Sequence, residues 1–167
     1  MKSHAEITRL GRLRRFRTLA RKALSAYGLD KADLTFLTYE GNVMYRVDTK
    51  RRCASGGLYY PGRHLLRIHM DYHSRKAIES ELNWLTALRR DTDLPVPEPL
   101  ATKDGQLVIE LSLPGGDGLR RKCSILRWVD GKFVGKRLTE DHVRAWGSLM
   151  AQLHKHSAGW KRPKGFV

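Results

Sequence analysis

At 167 residues the chain is one domain, or one domain with the start of a second, and its 41% hydrophobic content can fill a core, which excludes global disorder. Thirty-two Lys and Arg against 17 Asp and Glu leave a net charge of +15, a field suited to phosphates, nucleic acids or anionic head groups. Arginines interrupt Leu10, Leu13 and Phe16, so no signal-peptide core and no membrane span is predicted, and Cys53 and Cys123, far apart and in no metal-binding spacing, read as free thiols of a cytoplasmic protein.

The charge is uneven. Residues 1–31 hold nine Lys and Arg against two acids, 119–137 hold seven against one, and 155–164 hold four against none. A solvated basic surface and contact with non-specific polyanions both fit this distribution.

Residues 3–27 read as an amphipathic helix: Ile7, Leu10, Leu13, Phe16, Ala20, Ala23, Leu24 and Tyr27 recur at three- and four-residue steps, and Gly28 follows as a stop. Its other face is nearly all arginine and lysine, which suits a charged outer face over a core as well as an RNA or membrane surface. Asp33–Tyr39 and Val43–Thr49 read as strands reversing through Glu40-Gly41-Asn42, because Val43, Tyr45 and Val47 alternate with polar neighbours. A basic loop, 50–63, leads to a strand at 64–69 and a helix at 74–90, with Ser74 as N-cap. Leu94-Pro95-Val96-Pro97-Glu98-Pro99 must be extended. Asp104-Gly105 predicts a hairpin turn into Gln106–Leu111, residues 114–118 a loop, and Cys123–Val129 a last strand. Thr139 caps a final helix, 139–157, with Glu140 and Asp141 at its positive end. The order predicts an α+β lobe: about five mainly antiparallel strands with one helix inserted after the third.

Two residues carry the candidate chemistry. Glu81 lies three residues after Ile78 and four before Leu85, inside an apolar stripe where an unpaired carboxylate is costly, so it needs a partner or sits at the stripe's edge. Arg67 alternates with Leu66 and Ile68 on the preceding strand and is the natural cation to meet it. His154 and His156, and His69 and His73, lack metal-site spacing. Trp84, Trp128, Trp146 and Trp160 read as packing residues, and Gly115 to Gly118 as a loop rather than a phosphate nest.

Several runs together carry a resemblance. They are Tyr39–Val47, Leu65–His69, Glu81–Leu88, Leu94–Pro99, Ser124–Gly131, Leu149–His154 and Trp160–Phe166. In this order they are similar to the aminoglycoside phosphotransferase and homoserine and choline kinase-like superfamily, over roughly residues 30–167. The resemblance implies a protein-kinase-like small lobe with its hinge over 31–131, a basic helix over 1–30, and the opening of a large lobe over 132–167. It places Arg67 where the family has its phosphate-contacting cation and Glu81 as the helix partner. It places Gly41 and Asn42 at the hairpin covering the phosphates, and Leu126, Arg127 and Val129 in the hinge strand, where the backbone of Arg127 and Val129 meets adenine's edge. The implied cofactor is ATP, the partner a nucleotide.

The sequence departs from that pattern in three respects. Only Gly41 stands where a glycine-rich loop is usual, and a planar arginine fork replaces lysine's point charge at position 67. The family's His-Gly-Asp…Asn loop and its Asp-containing magnesium motif are absent, so no catalytic and no metal-binding residue is assigned, and magnesium is expected only with a large lobe. The chain therefore reads as half of a small-molecule hydroxyl kinase, inactive alone, with helix 139–157 offering its stripe to a separate lobe. The rival from another class is a basic nucleic-acid-binding module using residues 1–31 and 119–137.

Overall fold

The computed structural model of the protein describes residues 7–50, 58–115, 118–132 and 134–167. Cys53 lies outside them. The first helix, α1 (Arg9–Ala26), starts where the Thr8 hydroxyl accepts the Gly11 N–H at 3.2 Å. It ends at Gly28, whose φ of +69° lets Leu29 and Gly28 donate back to the carbonyls of Leu24 and Ser25, the double bond of a Schellman stop. Phe16, Leu19, Ala20, Ala23 and Leu24 are buried, but Leu10, expected in the stripe, is 68% exposed. The described part of the helix begins at a cap that the apolar pattern alone did not mark.

Strands β1 (Asp33–Glu40) and β2 (Asn42–Asp48) pair antiparallel about Gly41, with a bulge between Phe36 and Thr38. Strand β3 (Tyr59–His69) starts five residues before the expected 64–69. Its first half is polar, and its neighbours draw it into the sheet: Arg63 pairs with Asp48 at 2.7 Å, and the Thr49 amide donates to the Gly62 carbonyl. Helix α2 (Arg75–Asp91), capped by the Ser74 hydroxyl, follows.

The distal edge departs from the expected hairpin. Gly105 (φ +78°) does turn the chain, with the Thr102 N–H donating to the Gln106 carbonyl. Yet β4 (Pro99–Leu100) and β5 (Ile109–Ser112) do not pair with each other; both pair antiparallel with β6 (Arg120–Val129). They are two pieces of one interrupted edge strand, which is why the sheet has six strands, in the order β1-β2-β3-β6-β4 with β5 beside β6.

The sheet separates two layers. On one face α1 covers Val43, Tyr45, Val47, Leu66, Ile68, Cys123 and Ile125 in the main core. Burial there pushes the Cys123 thiol up to about 12, so it is an inert packing residue. On the other face Ile78 and Leu82 of α2 close over Val108 and Leu126. Helix α3 (Glu140–Gly159) is capped reciprocally by Thr139 and His142, and none of its residues is buried.

Candidate functional site

Strand register decides which side chains share the α2 face. Arg67 lies opposite Met44 on β2 and Ser124 on β6, Leu65 opposite Leu126, and His69 opposite Asn42. In an antiparallel sheet cross-strand partners point the same way, so these residues line one surface, only part of which α2 covers.

Arg67 and Glu81 meet there as a fork on a carboxylate: Nη1 to Oε1 at 2.7 Å and Nη2 to Oε2 at 3.2 Å. The arginine side chain is 11% exposed and the glutamate 46%, which places Glu81 at the edge of the apolar stripe. With one partner that open, the pair contributes about 1 kcal/mol or less to stability. Its geometric role is larger, because the bidentate fork fixes the guanidinium plane. Arg67 Nε is buried with no hydrogen-bond partner among the described residues, and so is Oδ1 of Asn42. A donor and an acceptor left unpaired on one surface cost about 1–3 kcal/mol each unless something binds them.

His69 sits two residues beyond Arg67, its Nε2 2.9 Å from the Ser124 hydroxyl. Burial first, then the charge of Arg67, holds its pKa down at about 3, so the imidazole stays neutral beside the arginine. At the turn, Gly41 has φ +68°, and the Tyr72 hydroxyl donates to its carbonyl. A Cβ on Gly41 would come within 3.1 Å of that hydroxyl. A single glycine tied down by Tyr72 thus stands where a run of free amides would cradle phosphates.

In β6, Leu126 is buried against α2. The Arg127 N–H donates to the Glu98 carbonyl at 2.8 Å, while its guanidinium pairs with the Glu98 carboxylate at 3.0 Å and stacks on Tyr59. Register with His64 puts the Arg127 side chain on the α1 face, away from Arg67. Val129 lies opposite Tyr59, and Asp130 N–H donates to Leu58.

The structure therefore gathers Arg67, Glu81 and Leu126 on one surface, brings Asn42 in across from His69, and leaves Arg127 there only through its backbone. The two-residue step from Arg67 puts His69 on the same face in the sequence but gives it no role there; nothing in the sequence marked Tyr72. Basic residues of the 119–137 segment are engaged: Arg121 with Asp71, Lys122 with the His73 carbonyl, Arg120 with Glu110.

Helix α3 attaches to α2 through a short relay. Trp84 Nε1–H donates to His156 Nδ1 at 3.2 Å, and His156 Nε2 lies 3.1 Å from Asp91, which puts the ring hydrogen on Nε2. Leu149 and Leu153 pack against Leu88, Leu94 and Val96. The rest of the expected stripe is open: Leu138, Val143, Trp146 and Met150 are exposed.

A phosphate oxygen suits the Arg67 Nε donor, whereas Asn42 Oδ1 is an acceptor and suits a hydroxyl or amino group. Among the described residues, no three His, Cys, Asp or Glu side chains group to hold a metal. No helix among the described residues is long and apolar enough to cross a membrane.

A six-stranded antiparallel sheet with one inserted helix, and a strand cation gripped by that helix's carboxylate, is a protein-kinase-like small lobe. The chain belongs to the phosphotransferase enzyme family (APH), whose sequence model matches residues 40–166. Among solved structures it is similar to a microcompartment-associated aminopropanol kinase, with 34% identity and a TM-score of 0.71 over 90% of this chain and 43% of that one. It also shares its fold with amicoumacin kinase hAmiN, solved with AMP-PNP, Ca2+ and Ami, at 17% identity and a TM-score of 0.70 over 95% of this chain and 46% of the other. An uncharacterized protein of Synechocystis sp., sll1119, is 30% identical over 99 residues, 59% of this chain and 26% of that protein. The chain thus spans about a quarter of this curated relative and under half of either solved kinase.

Proposed function

We propose that these residues form the ATP-binding lobe of a cytoplasmic phosphotransferase that phosphorylates a hydroxyl on a small amine-bearing molecule. The observation that carries the reading is the bidentate Arg67–Glu81 pair on the α2 face. Arg67 holds the nucleotide phosphates, and Glu81 fixes the plane of its fork so that little ordering remains when the phosphate arrives. The Gly41–Asn42 turn lies over the phosphates, and Leu126 packs beside the adenine. Because the Arg127 amide is already committed to Glu98, adenine's edge meets the Arg127 carbonyl and the Val129 backbone.

The likeness to an aminopropanol kinase favours an amino alcohol over an aminoglycoside as acceptor. The exposed α3 face, centred on Val143, Trp146 and Met150, is the seat of a large lobe that supplies the base and the magnesium ligands. Residues 132–167 then belong to that lobe's opening, 31–131 to the small lobe, and 1–30 to its basic outer helix. Without the large lobe's residues, nucleotide binding is weak and transfer does not occur.

Titration with ATP by calorimetry or fluorescence tests this. The expected result is saturable binding that Arg67→Met weakens about tenfold, the worth of one charged hydrogen-bonding group. Binding unaffected by Arg67→Met, or tight duplex-DNA binding in place of ATP binding, overturns the reading; the latter would carry the steep salt dependence of counterion release.

A further inference from the structure

The sheet face away from Arg67 carries a cleft of about 770 Å³, between residues 28–32 that follow α1, residues 49–50 that follow β2, and strands β3 and β4. His64 lines it from β3, paired in register with Val47 and Arg127, and so points to the α1 side. Its Nδ1 is buried and has no hydrogen-bond partner among the described residues. Burial, then the charge of Arg127, lowers the pKa of this ring, so it enters the cleft as a neutral imidazole.

Charge in the cleft is unbalanced. Arg127 is held by Glu98 and Arg63 by Asp48, while Asp30, which accepts from the Ser25 hydroxyl, stays anionic and offsets one of the two lysines that line the cleft. Lys31 and Lys50 line the same space with no ion-pair partner among the described residues. Leu29, Pro99 and Leu100 supply apolar wall between these polar points. A concave site with an apolar wall, surplus positive charge and one unsatisfied buried nitrogen is built like a ligand pocket.

We propose that this cleft is a second small-molecule site, taking an organic anion: an apolar body that carries a carboxylate or phosphate group. The anion sits between Lys31 and Lys50 and accepts a hydrogen bond from His64 Nδ1–H, while the body lies against Leu29, Pro99 and Leu100. The site is on the opposite face of the sheet from the nucleotide surface, so the two are filled independently.

Benzoate and phenyl phosphate, titrated separately into the 167-residue chain with calorimetry and imidazole NMR as readouts, test the proposal. At least one should saturate with a Kd of about 1 mM or tighter and shift the His64 ring signals. The tighter of the two identifies the anionic group. The double variant Lys31→Ala, Lys50→Ala, at two exposed positions that leave the core intact, should weaken binding about tenfold, and His64→Phe likewise. Arg67→Met should leave it unchanged, so that loss of ATP binding and loss of anion binding are read apart. No saturation up to about 10 mM, an affinity unmoved by the lysine changes, or loss of binding in Arg67→Met would overturn it.

Discussion

Helices α1 and α3 look alike in sequence, each with an apolar stripe at helical spacing beside a basic stretch, yet they end in opposite situations. In α1 five residues are buried under the sheet, whereas in α3 none is, and Trp146 stays 66% exposed. Both stripes state a demand for burial; that of α1 is met by the sheet, while that of α3 is met only in part, by Leu149 and Leu153 against Leu88, Leu94 and Val96. Amphipathicity fixes which face a helix will bury and leaves open what will cover it.

The comparison breaks most easily at Phe16, which is fully buried and stands edge-on to Tyr39 with ring centroids 5.4 Å apart. Phe16→Ala should cost about 3–5 kcal/mol in thermal or urea unfolding. A loss no larger than that of an α3 surface change would mean that α1 is not the core helix.

Acid should act next, through His69. Its folded pKa, about 3, lies below the usual 6.5, so below pH 6.5 the unfolded chain binds the proton that the folded chain refuses. Stability is full above about pH 6.5 and falls toward pH 3 by at most roughly 1.4 kcal/mol per pH unit for this group. His64, lowered in the same direction by its burial, adds to the same limb. His69→Asn should flatten the unfolding profile between those limits; an unchanged slope would mean that His69 is not a buried neutral ring.

Smaller effects sharpen the attachment of α3. Trp84→Phe removes the indole N–H that His156 accepts and should cost about 1 kcal/mol, with amide exchange in α3 rising more than in α1. Equal changes in both helices would mean that α3 is not a separately held element. The smallest effect belongs to Trp146→Ala, within about 0.5 kcal/mol for this chain, since little area is buried there. A drop of several kcal/mol would show the α3 face covered in solution, by a second copy if light scattering finds a dimer.

Helical and two-residue periodicities carried α1, α2, β2 and the end of β3. They also carried the Arg67–Glu81 meeting, because each residue sits among apolar neighbours on elements adjacent in sequence. The first half of β3 was read as a loop because Tyr59 to Arg63 is polar; only the register against β2 and the Arg63–Asp48 pair holds it in the sheet. The broken edge strand was read as a hairpin because the Gly105 turn is a local signal, while the choice of β6 as partner is not. The Trp84–His156 contact joins residues 72 apart, beyond any periodic pattern.

Composition, periodicity and cap residues thus determined the order of elements, the face each would bury, and the pairing of strand cation with helix carboxylate, since these depend on neighbours within a turn or one strand away. Tertiary structure alone decided the rest. It bound the Gly41 turn under Tyr72, turned the Arg127 side chain to the far face, isolated His64 Nδ1 in a cleft, and left most of the α3 stripe open. Each of those outcomes depends on which strand lies beside which and on what covers a face, and a hydrophobic pattern does not encode its own partner.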